Sequence, residues 1–344
     1  MSDANLFAQQ RANRRRSAIL VTLFLLFFAW IGFGGDLIFY LQTTNLPDDA
    51  PRDSYRHLIP WFGICATLLA SGMAWWGWKR GPKEILWATG AWELIEPSRP
   101  EEKVLVNVIE EMAIASGLPR PTIWIVPDND PNAFATGTDI AQAHVAVTEG
   151  LLDTLNREEL QGVVAHEMAH IRNYDVKLMT LLAALVGVMA LIADGTRRFL
   201  WFGGGRRSGG GGGGKKSGGP LVAILLIAWV FSILLAPIVS RLLALGVSRK
   251  REFLADATAA QFTRNPSALA TALRKVEDAS GPTKAIKKGT AHLCIADPVG
   301  RRLTHKEGRV ANLLATHPPM AVRIARLRAM AYQYDKTGEI PEAV

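Results

Sequence analysis

The chain of 344 residues is 49% hydrophobic and 20% charged, too apolar for an ordinary water-soluble domain and too charged for membrane spans alone. Its net charge of +8 lies beside apolar runs and comes with no nucleic-acid signature, which points to membrane topology and away from a nucleic-acid partner. Two cysteines, Cys65 and Cys294, give no disulfide framework and fit a reducing compartment.

Residues 1–16 are polar and place Arg11, Arg14, Arg15 and Arg16 before an uncharged run from Ser17 to Gly35. As a helix rising ~1.5 Å per residue, that run is long enough for a bilayer core of ~30 Å. No small-x-small cleavage site follows, so the run reads as an anchor and not as a signal peptide. The connection from Asp36 to His57 is net acidic, and a second uncharged run, Leu58 to Trp78, ends in Trp75, Trp76 and Trp78 with Lys79 and Arg80 behind. Interfacial aromatics followed by cations mark a cytoplasmic exit, so residues 1–80 are expected to form a membrane hairpin with both ends in the cytoplasm.

Residues 81–175 have soluble character and form the first part of a water-facing domain. Glu101 to Ser116 reads as an amphipathic helix closed by Gly117-Leu118-Pro119. Pro121 to Val126 and Ala143 to Thr148 read as short strands, with Asn132-Ala133-Phe134 between them. A further helix starts near Asn156, with Glu158 and Glu159 in its first turn.

Residues 176–247 read as a second membrane hairpin, completing four spans. Its first run, Leu178 to Ala193, measures only ~24 Å as a helix. Pro220 to Ser240 is the other, and residues 203–219 between them are a glycine-rich linker. If both runs cross, six cations and one acid, Asp194, lie outside the cytoplasm, against the positive-inside tendency; a shallow hairpin avoids this conflict. Residues 248–344 are charged and periodic and are expected to form the second part of the water-facing domain.

The chemistry lies in His166-Glu167-Met168-Ala169-His170. Residues four apart share a helix face, so two imidazoles can hold one metal ion while Glu167 acts as general base toward water. The bare pattern also arises by chance on charged helices, but the apolar Val163, Val164 and Ala165 favour an enclosed site. A catalytic zinc site uses three protein ligands and leaves a position open. The metzincin extension is absent, since Asn173 and Val176 fill its positions. Glu252 is the strongest candidate for the third ligand, with Asp256 one turn later to hold a ligand imidazole, and Asp175 is a weaker candidate for that second role. The plain alternative makes Glu252 and Asp256 a solvated face beside Lys250 and Arg251. His57, His144, His292 and His305 have no sequence partner and read as surface or packing residues.

Four segments carry a family resemblance: Asn132-Ala133-Phe134, Ala165 to His170, Arg251-Glu252-Phe253-Leu254-Ala255-Asp256, and His317-Pro318-Pro319 with Arg323. Together with the paired apolar runs, they resemble the M48 family of membrane metallopeptidases, in its bacterial HtpX group; the glycine-rich linker departs from that pattern. The resemblance implies Glu252 as third ligand to one Zn2+ per chain. It also implies that Asn132 lies on a substrate-facing segment, and that His317 and Arg323 lie near the reacting carbonyl. Without it, Asn132 would be a turn residue beside Pro131, His317 a loop residue, and Arg323 the partner of a surface acid.

The expected fold is mainly α with a small β-sheet: a four-helix transmembrane anchor plus a zincin-like (gluzincin) peptidase domain. The expected function is hydrolysis of misfolded or damaged membrane proteins at the bacterial inner membrane, with the active site facing the cytoplasm. An extended substrate is expected to pair with an edge strand at Ala133 and Phe134. The partners are polypeptide substrates and the lipid bilayer. A dedicated processing protease and a zinc-binding membrane adaptor without activity are the alternatives.

Overall fold

The two N-terminal apolar runs become helices longer than the runs themselves, α1 (Asp3–Thr44) and α2 (Trp61–Ala88). The structure is a computed structural model that describes residues 3–44, 57–183, 224–231, 249–279, 285, 293–296, 318–338 and 340. The linker at 203–219, most of the two later apolar runs and His317 lie outside the described residues. The chain forms two compact units, one within residues 1–17, 77–184 and 243–344, the other within 18–76 and 185–242.

In the second of these units, α1 exposes Leu23, Leu26 and Trp30, and α2 exposes Leu68 and Leu69, as a lipid-facing surface does. Among the described residues, one helix, 11–41, is long and apolar enough to cross a membrane. Asp36 is enclosed rather than solvated, because its carboxylate accepts from Phe62 N at 3.2 Å and Gly63 N at 2.5 Å, capping the start of α2. His57 Nε2 lies 2.6 Å from the same carboxylate. Trp229, in the helical segment 224–231, donates from its indole N–H to the Ile31 carbonyl at 2.7 Å.

The other unit is built on a mixed four-stranded sheet with β1 (Trp92–Glu93), β2 (Thr122–Val126), β3 (Ala133–Gly137) and β4 (Ala143–Thr148). The strand order is β1-β2-β4-β3; β2 and β4 are parallel, and β1 and β3 pair antiparallel to their neighbours. Every residue of β3 and β4 is buried, which is why these strands do not alternate polar with apolar. Helix α3 (Pro100–Ser116) stops at Gly117, whose φ of 68° suits a residue without a Cβ. Among the described residues of this unit, four further helices follow the short α4 (Glu149–Thr154): α5 (Arg157–Arg172), α6 (Arg249–Thr263), α7 (Pro266–Asp278) and α8 (Met320–Thr337).

Helix α5 is the hub, packed against α3, α6, α7 and β3. Residues 162–171 are all buried, so its second half is apolar around most of its circumference wherever no functional group intervenes. A Cβ at Gly162 would stand 3.0 Å from the backbone of Leu269, so the missing side chain is what lets α7 approach. The core joins Leu105 and Ile109 of α3, Val145 and Val147 of β4, Val163 and Met168 of α5, and Leu269 and Leu273 of α7.

Candidate metal centre

Asn156 accepts from Glu159 N at 2.9 Å, and the Glu159 carboxylate accepts from Asn156 N at 2.9 Å, a reciprocal cap that fixes where α5 begins. Three turns on, His166 and His170 project from one face toward α6, which carries Glu252 in its first turn. One ligand-type atom from each of the three residues lies within 4.8 Å of the other two, and all three residues are buried. His170 Nε2 is 3.2 Å from His166 Nε2 and 3.5 Å from Glu252 Oε1; His166 Nε2 is 3.8 Å from Glu252 Oε2. Two imidazole nitrogens and a carboxylate turned toward one point form a donor set that fits a divalent cation, and such a set leaves room for one more ligand.

The far side of each ring is also held by a carboxylate. His166 Nδ1 lies 2.9 Å from Asp256 Oδ1, although the ring N–H is not aligned for a full hydrogen bond. His170 Nδ1 lies 3.2 Å from Asp175 Oδ2. Both rings are thereby turned so that Nε2 faces inward. Asp256 is gripped by Arg323, Nε to Oδ2 at 2.9 Å and Nη2 to Oδ1 at 2.7 Å, a two-pronged geometry open only to a guanidinium. Arg323 also donates to the Ile295 carbonyl at 3.0 Å and lies 3.6 Å from Glu252 Oε2.

Enclosure sets the protonation of these groups. Burial is the main cause that lifts Glu167 from the ordinary carboxylate value to about 7, aided by Glu252 and opposed by His170, Arg323 and the Ala135 N–H. Burial alone would depress His170, but the hydrogen bond to Asp175 and the charges of Glu252, Asp175 and Glu167 raise it to about 9. His166 goes the other way: burial, with the charges of Arg323 and His170, lowers it despite Asp256. Burial would raise Asp256, yet the Arg323 charge and the contacts to His166 and Arg323 hold it down at about 2.

The other expected site residues divide. Asn132 and Arg323 are enclosed completely. The Asn132 side chain donates to the Ala296 carbonyl at 3.1 Å and accepts from Ala133 N at 3.1 Å, so it braces a neighbouring segment and does not face outward. The edge of β3 at Ala133 and Phe134 is not open either. Ile295 N donates to Ala133 O at 2.9 Å, and Phe134 is bridged to Cys294. Segment 293–296 thus occupies the stretch where a substrate strand was expected. It lies some 160 residues further along and carries no strand pattern, so nothing local in the sequence signals it. Glu167 lies beside the two imidazoles and is buried. His57 and His144 are packing residues, the first against Asp36 and the second against Thr122. Sequence reasoning missed Asn13, whose side chain is 1% exposed and bonds to Asp175; an asparagine among arginines is the one local hint.

The sequence pattern of peptidase family M48 matches residues 100–331. A protease HtpX homolog from Thermoanaerobacter pseudethanolicus is 37% identical over 334 residues, covering 96% of this chain and 99% of that protein. One from Lactobacillus helveticus is 37% identical over 326 residues, covering 94% and 100%. A third, from Levilactobacillus brevis, is 46% identical over 226 residues, covering 66% and 72%. The crystal structure of S. mikatae Ste24p aligns with a TM-score of 0.41 at 18% identity, covering 90% of this chain and 66% of that one, a likeness too slight to argue from.

Proposed function

This chain belongs to peptidase family M48 and is a metalloprotease, and on that premise we propose that it is a multi-pass zinc endopeptidase of the bacterial inner membrane. Its substrates are membrane proteins that have misfolded or been damaged. The observation that carries the reading is the meeting of His166, His170 and Glu252 around one point, with Glu167 beside them near neutrality.

His166, His170 and Glu252 would hold the zinc, with Asp256 and Asp175 keeping the two rings in register. A zinc ion held there would supply Lewis acidity toward the scissile carbonyl and toward water. Glu167 takes a proton from the attacking water and returns it to the leaving amine. His317 steadies the oxyanion, a role that the family resemblance implies. Asn132 and Arg323 act as braces, since both are closed off from solvent.

Support for the membrane setting comes from the apolar helix at 11–41 and from the cations Lys79 and Arg80 behind the tryptophans of α2. Four spans with the centre on the cytoplasmic side fit that pattern. A metal kept only for folding fills all four positions and needs no base, so a non-catalytic adaptor fits the three-ligand set poorly.

Glu167→Gln removes the base and no ligand. In detergent it should bind one zinc per chain as wild type does and cut an unfolded membrane substrate ~100-fold to 10,000-fold more slowly. Cleavage at the wild-type rate would take Glu167 out of the mechanism.

A further inference from the structure

Asp175 is fully enclosed and answers to three elements. Beyond its contact with His170, it lies 3.4 Å from Arg251 Nη1 on α6, and its Oδ1 accepts from Asn13 Nδ2 on α1 at 2.8 Å. The Asn13 amide gives its second N–H to the Asn173 carbonyl at 3.0 Å. Turning this amide over would set its oxygen against a carbonyl and a carboxylate, so its partners fix its orientation. The chain makes an unusual turn to allow this: Tyr174 takes a φ of 58°, uncommon for a bulky residue, and so brings Asp175 back to the end of α5.

Residues 1–17 belong to the same compact unit as the metal-site residues. A basic leader that merely orients a membrane span has no need to bury an amide, and burying one costs free energy unless its partners compensate. Asn13 instead spends both of its N–H groups on the turn that carries Asp175.

We propose that Asn13 is a positioning residue for the metal centre: it fixes the Asp175 carboxylate that orients His170, so the head of α1 is a working part of the peptidase unit. The inference rests on the reading of His170 as a zinc ligand. Carboxylates that hold the outer nitrogen of a ligand imidazole typically govern metal affinity by 10-fold to 100-fold, and Asn13 acts one contact further out.

The test uses full-length protein in detergent, with Zn2+ itself titrated against a chromophoric chelator. Asn13→Leu keeps the volume and removes the amide; Asn13→Ala removes both. Each should weaken zinc binding by about 10-fold, and at saturating zinc each should keep the wild-type KM, since Asn13 touches no substrate. In an Asp175→Asn background, Asn13→Leu should add nothing. Wild-type affinity in both variants, loss in one of them alone, or effects that multiply with Asp175→Asn would overturn the proposal, the second by marking a packing defect. If wild type itself binds no zinc, the reading of the centre fails, and this inference with it.

Discussion

Arg323 illustrates how a buried charge must be answered. Its guanidinium is 0% exposed and meets both oxygens of Asp256, the Ile295 carbonyl and the flank of Glu252. Breaking such a pair by removing one partner leaves the other charge stranded, at a cost of about 3–5 kcal/mol. Arg323→Met should therefore lower thermal stability by that order, read by unfolding in detergent. Arg323→Lys should recover only part of it, because an ammonium cannot span two carboxylate oxygens and a carbonyl at once. If the methionine variant melts with wild type, the brace is not structural. At this scale the sequence was legible where chemistry repeats at helical spacing: His166 with His170, and Glu252 with Asp256, each stand one turn apart. Asn13 was not legible, since a side chain that meets residue 175 leaves no periodic trace.

Among the elements, α5 carries both the motif and the core, and its cap is its most exposed weakness. Asn156→Ala removes the acceptor for Glu159 N and half of the reciprocal cap, and should cost about 1 kcal/mol in thermal unfolding, with zinc stoichiometry unchanged. A variant that loses its metal at equal stability would show the cap to matter for the site itself. The start of α5, the stop of α3 at Gly117, and strands β2 and β4 were all readable, because capping residues, a left-handed glycine and β-branched runs act locally. Segment 293–296 was not. It holds its place by bonding to Ala133, Asn132 and Arg323, each distant in sequence, and contributes only Leu293, Cys294, Ile295 and Ala296 of its own. The helices of the two N-terminal apolar runs outlast the runs themselves because hydropathy marks where lipid is tolerated, while helix bonding continues until a terminus is capped or broken.

For the whole molecule, the proposed ligands lie on two helices that the chain itself does not join directly. A ligand that binds only the folded state stabilises it by about 2.7 kcal/mol at a hundredfold excess over its Kd. A strong chelator should thus lower the melting temperature of the wild type. Glu252→Ala should melt alike with and without chelator; a persistent chelator effect would place the metal elsewhere.

The distance along the chain between the two helices has a consequence for synthesis. Translation at about 5–20 residues per second releases His166 and His170 from the ribosome on the order of ten seconds before Glu252, and Arg323 later still. Throughout that interval a nascent polypeptide carries the proposed base and two imidazoles but not the full set of proposed ligands. On the proposed ligand set, a protease divided in this way stays inert until both helices have emerged, and so spares its own unfinished chain.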